Sequence, residues 1–124
     1  MSNTSINEIG RILQDKGLVS FGNNAYNQID NNCHEIMAYI ADMFGYGSLT
    51  KKELRDEVFR VRGNRIWSSS LENTSQSQVN VIVRCPDNPK DIHVSLEVRG
   101  KEYNYGPGLK EGFSVDMRIP LKQK

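Results

Sequence analysis

Apolar residues recur at helical spacing in three early segments of the chain and alternate at strand spacing in its later part. In SINEIGRILQDKG, Ile6, Ile9 and Leu13 form one stripe, Ser5 and Glu8 make a capping box, and Gly17 ends the run. The polar stretch FGNNAYNQIDN then reads as a loop. The second helix opens at NNCHEIMAYIADMF, with Asn32 as cap and Glu35 as its box partner; Ile36, Met37, Ile40, Met43 and Phe44 form the stripe, and Gly45 or Gly47 ends it. A third helix opens at Thr50 with Glu53, carries Leu54, Val58 and Val61, and stops at Gly63.

Beyond Gly63 the period becomes two. RIWSS (65–69) reads as a short strand, SSSLENTSQSQ (68–78) as a polar loop and CPDNP (85–89) as a turn or loop. In VNVIVRC (79–85), Val79, Val81 and Val83 share a face. In IHVSLEV (92–98), Ile92, Val94, Leu96 and Val98 share one face and leave His93, Ser95 and Glu97 on the other. Arg99-Gly100 is a two-residue hairpin loop leading into KEYNYG, and GFSVDMRIP (112–120) alternates up to Pro120, which suits an edge strand. The expected fold is therefore α+β, with N-terminal helices packed on an antiparallel sheet. All 124 residues form a single domain, 1–124, with a helical half over about 5–63 and a strand half over about 64–120.

Composition narrows the function classes. A net charge of +1, with Lys and Arg spread along the chain, supplies no field to draw in nucleic acid or an anionic membrane. No apolar run reaches the length of a membrane span, and MSNTSINEIGRILQDKGLVS lacks a secretory pattern. Two cysteines, Cys33 and Cys85, are too few for a disulfide scaffold and read as reduced thiols, a single bridge being the alternative.

Cys33 is the residue that changes the picture. After the cap Asn32 it takes the first helical position, where free backbone N–H groups and the helix dipole favour a thiolate. It also starts the apolar stripe, so the structural alternative is a small hydrophobe beginning a buried face. A thiolate nucleophile needs an imidazole, and the imidazole needs an orienting group. With Arg99 and Gly100 as the loop, Ser95 falls opposite Asn104 and His93 opposite Gly106. Asn104 then neighbours His93 diagonally on the same face, so its amide oxygen can accept from one ring nitrogen while the other faces Cys33. The alternative for His93 is a half-exposed strand residue.

A helix that begins with a cysteine (NNCHEIMAYIADMFG), a gap of about sixty residues, the strand HVSLEV, a Gly hairpin and a short return strand together resemble the papain-like cysteine hydrolases. The nearest patterns are CHAP-type and NlpC-type amidases, interbacterial amidase effectors and papain-fold bacterial toxin domains. The resemblance covers residues 30–106 and implies a compact papain-like fold with Cys33 as nucleophile, His93 as general base and Asn104 as orienting residue. Glu97 and Asp116 are the substitutes for the third role. Gln28, upstream of the cysteine, corresponds to the oxyanion-stabilising glutamine of many papain-like enzymes; its alternative is a surface amide. The implied reaction is acyl transfer from an amide of a peptide, protein or peptidoglycan. No cofactor is called for, and a cognate immunity protein is the implied partner. The length and the lack of a secretory pattern fit a cytoplasmically made effector delivered elsewhere.

Other constellations carry less. Cys33, His34, Cys85 and His93 do not make a zinc set, because Cys33 and His34 diverge on a helix and no Cys-x-x-Cys pair is present. GYG and YGPG are not phosphate loops. Cys85, before Pro86, reads as structural. Two further classes stay open: a metal-independent ribonuclease toxin using His93 with Lys101 or Arg84 and Tyr103, and a non-enzymatic binding or immunity protein.

Overall fold

The computed structural model describes residues 5–65, 78–84, 92–106 and 117–124, without the side chains of 62–65. Helix α1 (Ile6–Asp15) starts where the Ser5 hydroxyl accepts from the Glu8 N–H at 3.1 Å, and it buries Ile9, Gly10 and Leu13. Gly17 follows its C-terminal turn with φ +74. The segment read as a polar loop is instead a hairpin of β1 (Val19–Gly22) and β2 (Ala25–Gln28). Its loop is Asn23-Asn24, both at positive φ (52 and 62), a left-handed turn that asparagine tolerates and that matches the twist of a hairpin.

Helix α2 (Cys33–Met43) ends before Gly45, after which β3 (Tyr46–Gly47) leads to α3 (Lys51–Arg65). The third capping box forms in full: Thr50 N–H donates to the Glu53 carboxylate at 2.9 Å, and Glu53 N–H to the Thr50 hydroxyl at 3.1 Å. The second does not, since the Asn32 side chain makes no cap hydrogen bond. Gly63 does not stop α3, which continues to Arg65, so the strand read at 65–69 loses its first residue to the helix; the rest of it lies outside the described residues. A glycine inside a helix costs about 1 kcal/mol, too little by itself to end one.

Strands β4 (Val79–Arg84), β5 (His93–Val98), β6 (Lys101–Tyr103) and β7 (Met117–Pro120) form an antiparallel sheet in the order β6-β5-β4-β7. Pro120 is on an edge strand, as its missing N–H requires. Residues 112–116 of the last expected strand lie outside the described residues. Finally β8 (Lys122–Gln123) pairs with β3. The fold is thus α+β, but the expected division into helical and strand halves is only approximate. Three short strands lie among the helices, and one of them is completed by the end of the chain.

Helix α2 lays Ile36, Met37, Ile40 and Ala41 against β5, whose Val94, Leu96 and Val98 face it from the sheet. Val79, Val81, Val83, Tyr103, Tyr105, Met117 and Ile119 join the same core. Burying each such aliphatic side chain contributes about 1.5–3 kcal/mol. The sheet's second face departs from simple alternation, since β4 is buried at every position. Asn80, Ile82, Arg84 and Ser95 are all buried there. Polar side chains tolerate that burial because they bond one another: Asn80 donates to Glu97 at 3.2 Å, Arg118 Nε donates to Glu97 at 3.2 Å, and Arg84 forks onto Glu102.

Two contacts seat α1 and the hairpin on this core. The Tyr105 hydroxyl donates to the Ile6 carbonyl at 2.5 Å. Gly10 lies under the Tyr26 ring, where a Cβ would stand 2.5 Å from Cδ2. Gly10→Ala is therefore expected to destabilise the protein by about 1–3 kcal/mol through overpacking, although alanine is the better helix former; urea unfolding measures it.

Candidate active site

Residues 29–32 hold the start of α2. Asp30 and Asn31 take positive φ (46 and 61), and Asn32 N–H donates to the Ile29 carbonyl at 3.2 Å, closing a tight turn. The Asn32 side chain then works backwards. Its Oδ1 accepts from Ile29 N–H at 2.9 Å and its Nδ2 donates to the Leu18 carbonyl at 2.8 Å. The cap residue thereby ties the turn to Leu18, in the link between α1 and β1, and leaves the first N–H groups of α2 without a side-chain cap. Sequence logic placed Asn32 at the cap correctly, but the tertiary contact to Leu18 competes for its side chain.

Cys33 follows at the first helical position, half-buried and packed against the core. Burial pushes its thiol up. Hydrogen bonding with the His93 imidazole, the Val94 backbone, the charge of His93 and the His34 backbone outweigh that, and the thiol lies below its ordinary value. His93, the first residue of β5, is displaced the opposite way. Burial pushes its imidazole down, but hydrogen bonds with Cys33 and Asn104 and the charge of the thiolate carry it above the ordinary value, against a smaller opposing influence of Arg84. The two shifts share one cause, the hydrogen bond and the charge that Cys33 and His93 offer each other.

The imidazole is held from its other side. His93 Nε2 lies 2.8 Å from Asn104 Oδ1, and the Gly106 N–H donates to the same oxygen at 2.9 Å. A backbone N–H can only donate, so that atom of the amide must be the oxygen, and Nε2 must carry the proton that it accepts. Nδ1 is then the nitrogen left for the thiol. The hairpin supplies this placement. Glu97 pairs with Glu102 and Val98 with Lys101 around Arg99-Gly100, both at positive φ (51 and 85). Continuing that register sets His93 opposite Gly106 and Asn104 diagonal to it. Gly106 is part of the site for a reason that residue type did not reveal: a Cβ there would lie 2.6 Å from His93 Cε1 and 2.9 Å from Nε2. The ring rests on the glycine.

Gln28 reaches the same region through its backbone, whose N–H donates to the Tyr105 carbonyl at 2.7 Å. The strand preceding Cys33 is thus fastened between Asn104 and Gly106, with the Gln28 side chain half-buried. The substitutes for Asn104 fare differently. Glu97 is engaged with Asn80 and Arg118, and Asp116 lies outside the described residues, as does Cys85. His34 is turned to the Leu49 carbonyl at 2.7 Å, which ties α2 to the approach of α3. Tyr103 is buried on the helix-covered face of the sheet with Lys101 5.4 Å from its ring centroid, whereas His93 and Arg84 are on the opposite face. A groove of about 720 Å³ between α3 and the C-terminal strands, with Leu49, Glu53, Asp56 and Lys122 in its walls, is lined by none of Cys33, His93 and Asn104.

The arrangement can hold a thiolate, accept and return a proton at Nδ1, and keep the ring from turning. No protein-family model matches the chain, and no curated protein or solved structure matches it either, so the papain-like reading rests on Cys33, His93 and Asn104 and their order along the chain.

Proposed function

We propose that the protein is a thiol-dependent hydrolase or acyl transferase of the papain-like type, acting on an amide bond of a peptide, protein or peptidoglycan. The observation that carries this reading is the His93 Nε2 to Asn104 Oδ1 contact of 2.8 Å, with the lowered Cys33 thiol on the ring's other side. A half-exposed strand histidine has no need of a fixed tautomer or of a cysteine at a helix start.

In the proposed mechanism Cys33 gives its proton to His93 Nδ1. The thiolate attacks the carbonyl carbon, forming a C–S bond as the carbonyl π electrons move to oxygen. The oxyanion is met by the Cys33 backbone N–H at the uncapped end of α2 and by the Gln28 side-chain amide. Collapse of the tetrahedral intermediate breaks the C–N bond, and the imidazolium protonates the departing amine. Water, deprotonated by His93, then cleaves the thioester, returning the acid and the thiol; an amine in place of water gives acyl transfer. Asn104 keeps Nδ1 aimed at the sulfur throughout. The effector role and a cognate immunity protein belong to the same proposal.

Cys33→Ala is the test. It is expected to lower amide hydrolysis, or toxicity on expression, on the order of 10⁴-fold or more, with the melting temperature little changed. Activity that survives Cys33→Ala but disappears in His93→Ala would point to the ribonuclease reading, and indifference to both to a binding module.

A further inference from the structure

Behind His93 lies a buried cation that the proposed chemistry does not use. Arg84 on β4 stands directly opposite His93 on β5, and its side chain is only 8% exposed. Its guanidinium forks onto Glu102 of β6, with Nη2 2.8 Å from Oε1 and Nη1 on Oε2. The Ser95 hydroxyl donates to Glu102 Oε2 at 2.5 Å, and Arg84 Nη1 lies 3.5 Å from that hydroxyl. Arg84 starts on the rung of His93, and Glu102 is on the rung of Glu97, so the guanidinium crosses the intervening rung of Ser95 and Asn104. Arg84 Nε is buried without a hydrogen-bond partner among the described residues. A buried ion pair of this kind contributes little net stability against its desolvation, so fold stability alone accounts poorly for it.

We propose that Arg84 is a positioning residue for His93 and that Glu102 both aims and neutralises it, the two forming a charged brace across the three strands behind the imidazole. This rests on the Cys33–His93 reading and adds a residue pair to it. A guanidinium beside an imidazolium disfavours the protonated ring, whereas the thiolate and Asn104 favour it. The brace moderates the pair, so that the imidazolium can still release its proton to a leaving amine. The groups that bear on the ring among the described residues are Cys33 from α2, Arg84 from β4, and Glu102 and Asn104 from the return strand and its continuation. Glu102 in turn lies below the ordinary carboxylate range: burial raises it, but Arg84, Ser95 and the His93 charge outweigh this.

A brace predicts opposite effects from its two halves, whereas a pair that merely holds the fold predicts one shared loss. Glu102→Gln keeps the shape and leaves the Arg84 charge uncompensated, so the His93 titration midpoint should fall by about one pH unit. Arg84→Met removes the cation and leaves a carboxylate nearby, so the midpoint should rise by a similar amount, with the double variant between wild type and Arg84→Met. The chain has only two histidines, so NMR titration of the imidazole resonances reads His93 directly. Unchanged midpoints, or shifts of one sign in both variants, would overturn the brace. If Arg84→Met does not fold, the isosteric Glu102→Gln decides by itself: a midpoint that stays put or rises sinks the proposal. Cys33→Ser separates the two readings. A midpoint that falls in Cys33→Ser while the brace variants do nothing leaves the catalytic pair standing and removes only the brace. A midpoint indifferent to Cys33→Ser removes the pair itself.

Discussion

His93→Ala is expected to slow the alkylation of Cys33 by iodoacetamide at pH 6 by about 100-fold or more, to the range of an ordinary buried thiol. Burial acts on Cys33 in the direction of the neutral thiol, and the imidazole is the leading influence that reverses it. Without the ring only the backbone N–H groups oppose the effect of burial. The sign follows from the two shifts. A lowered thiol keeps its negative charge as pH falls below the ordinary thiol range, and a raised imidazole keeps its positive charge as pH rises past the ordinary histidine range. Each shift therefore extends the charged form of one partner towards the pH range in which the other is charged. Each partner's linkage agrees. Stability from the raised imidazole is present at low pH and is lost as pH climbs through its folded value. Stability from the lowered thiol is present at high pH and is lost as pH drops through its folded value. In the wild type, mass spectrometry at pH 6 should find Cys33 labelled far faster than Cys85. Equal, slow labelling of both would end the thiolate reading.

Gly106→Ala is expected to cut the same alkylation rate, and any amide hydrolysis, by about 100-fold while the melting temperature moves little. The added methyl would overlap His93 Cε1 at 2.6 Å and crowd Asn104 Oδ1 at 3.2 Å. The ring is the part that can move, since it is a half-buried side chain at the end of a strand, whereas Gly106 N–H is tied to Asn104. Rotating the ring away breaks the Nε2 contact and takes Nδ1 from the sulfur. Unfolding curves beside the alkylation rates separate a displaced ring from a lost fold. Unchanged reactivity would mean that the imidazole does not rest where His93, Asn104 and Gly106 converge.

Much of this was legible in the chain because it is local. Ser5 with Glu8 and Thr50 with Glu53 mark helix starts through hydrogen bonds made within a single turn. The Arg99-Gly100 loop fixes a register, and period two then decides which side chains share a face, so the diagonal from His93 to Asn104 follows from counting residues. The hairpin at 19–28 escaped for want of alternation: β1 buries only Val19, so no inward face repeats, and Asn23-Asn24 was the remaining sign of a turn. Close approaches were equally invisible, since nothing around Gly10 or Gly106 in the sequence says which ring will lie on it.

The sequence by itself determined the helix starts, the strand faces, the turn that aligns His93 with Asn104 and the position of Cys33 at a helix N-terminus, because each depends on dihedrals and spacings within a few residues. Only the tertiary structure decided that the Asn32 side chain reaches Leu18 instead of capping its helix, that Arg84 and Ser95 are buried on the polar face of the sheet and bond Glu102 of β6, and that β8 closes on β3. Above all it decided that the thiol and the imidazole, sixty residues apart, fall within each other's influence. Such contacts depend on which elements pack together, and a side chain's polarity does not say whether water or another side chain will satisfy it.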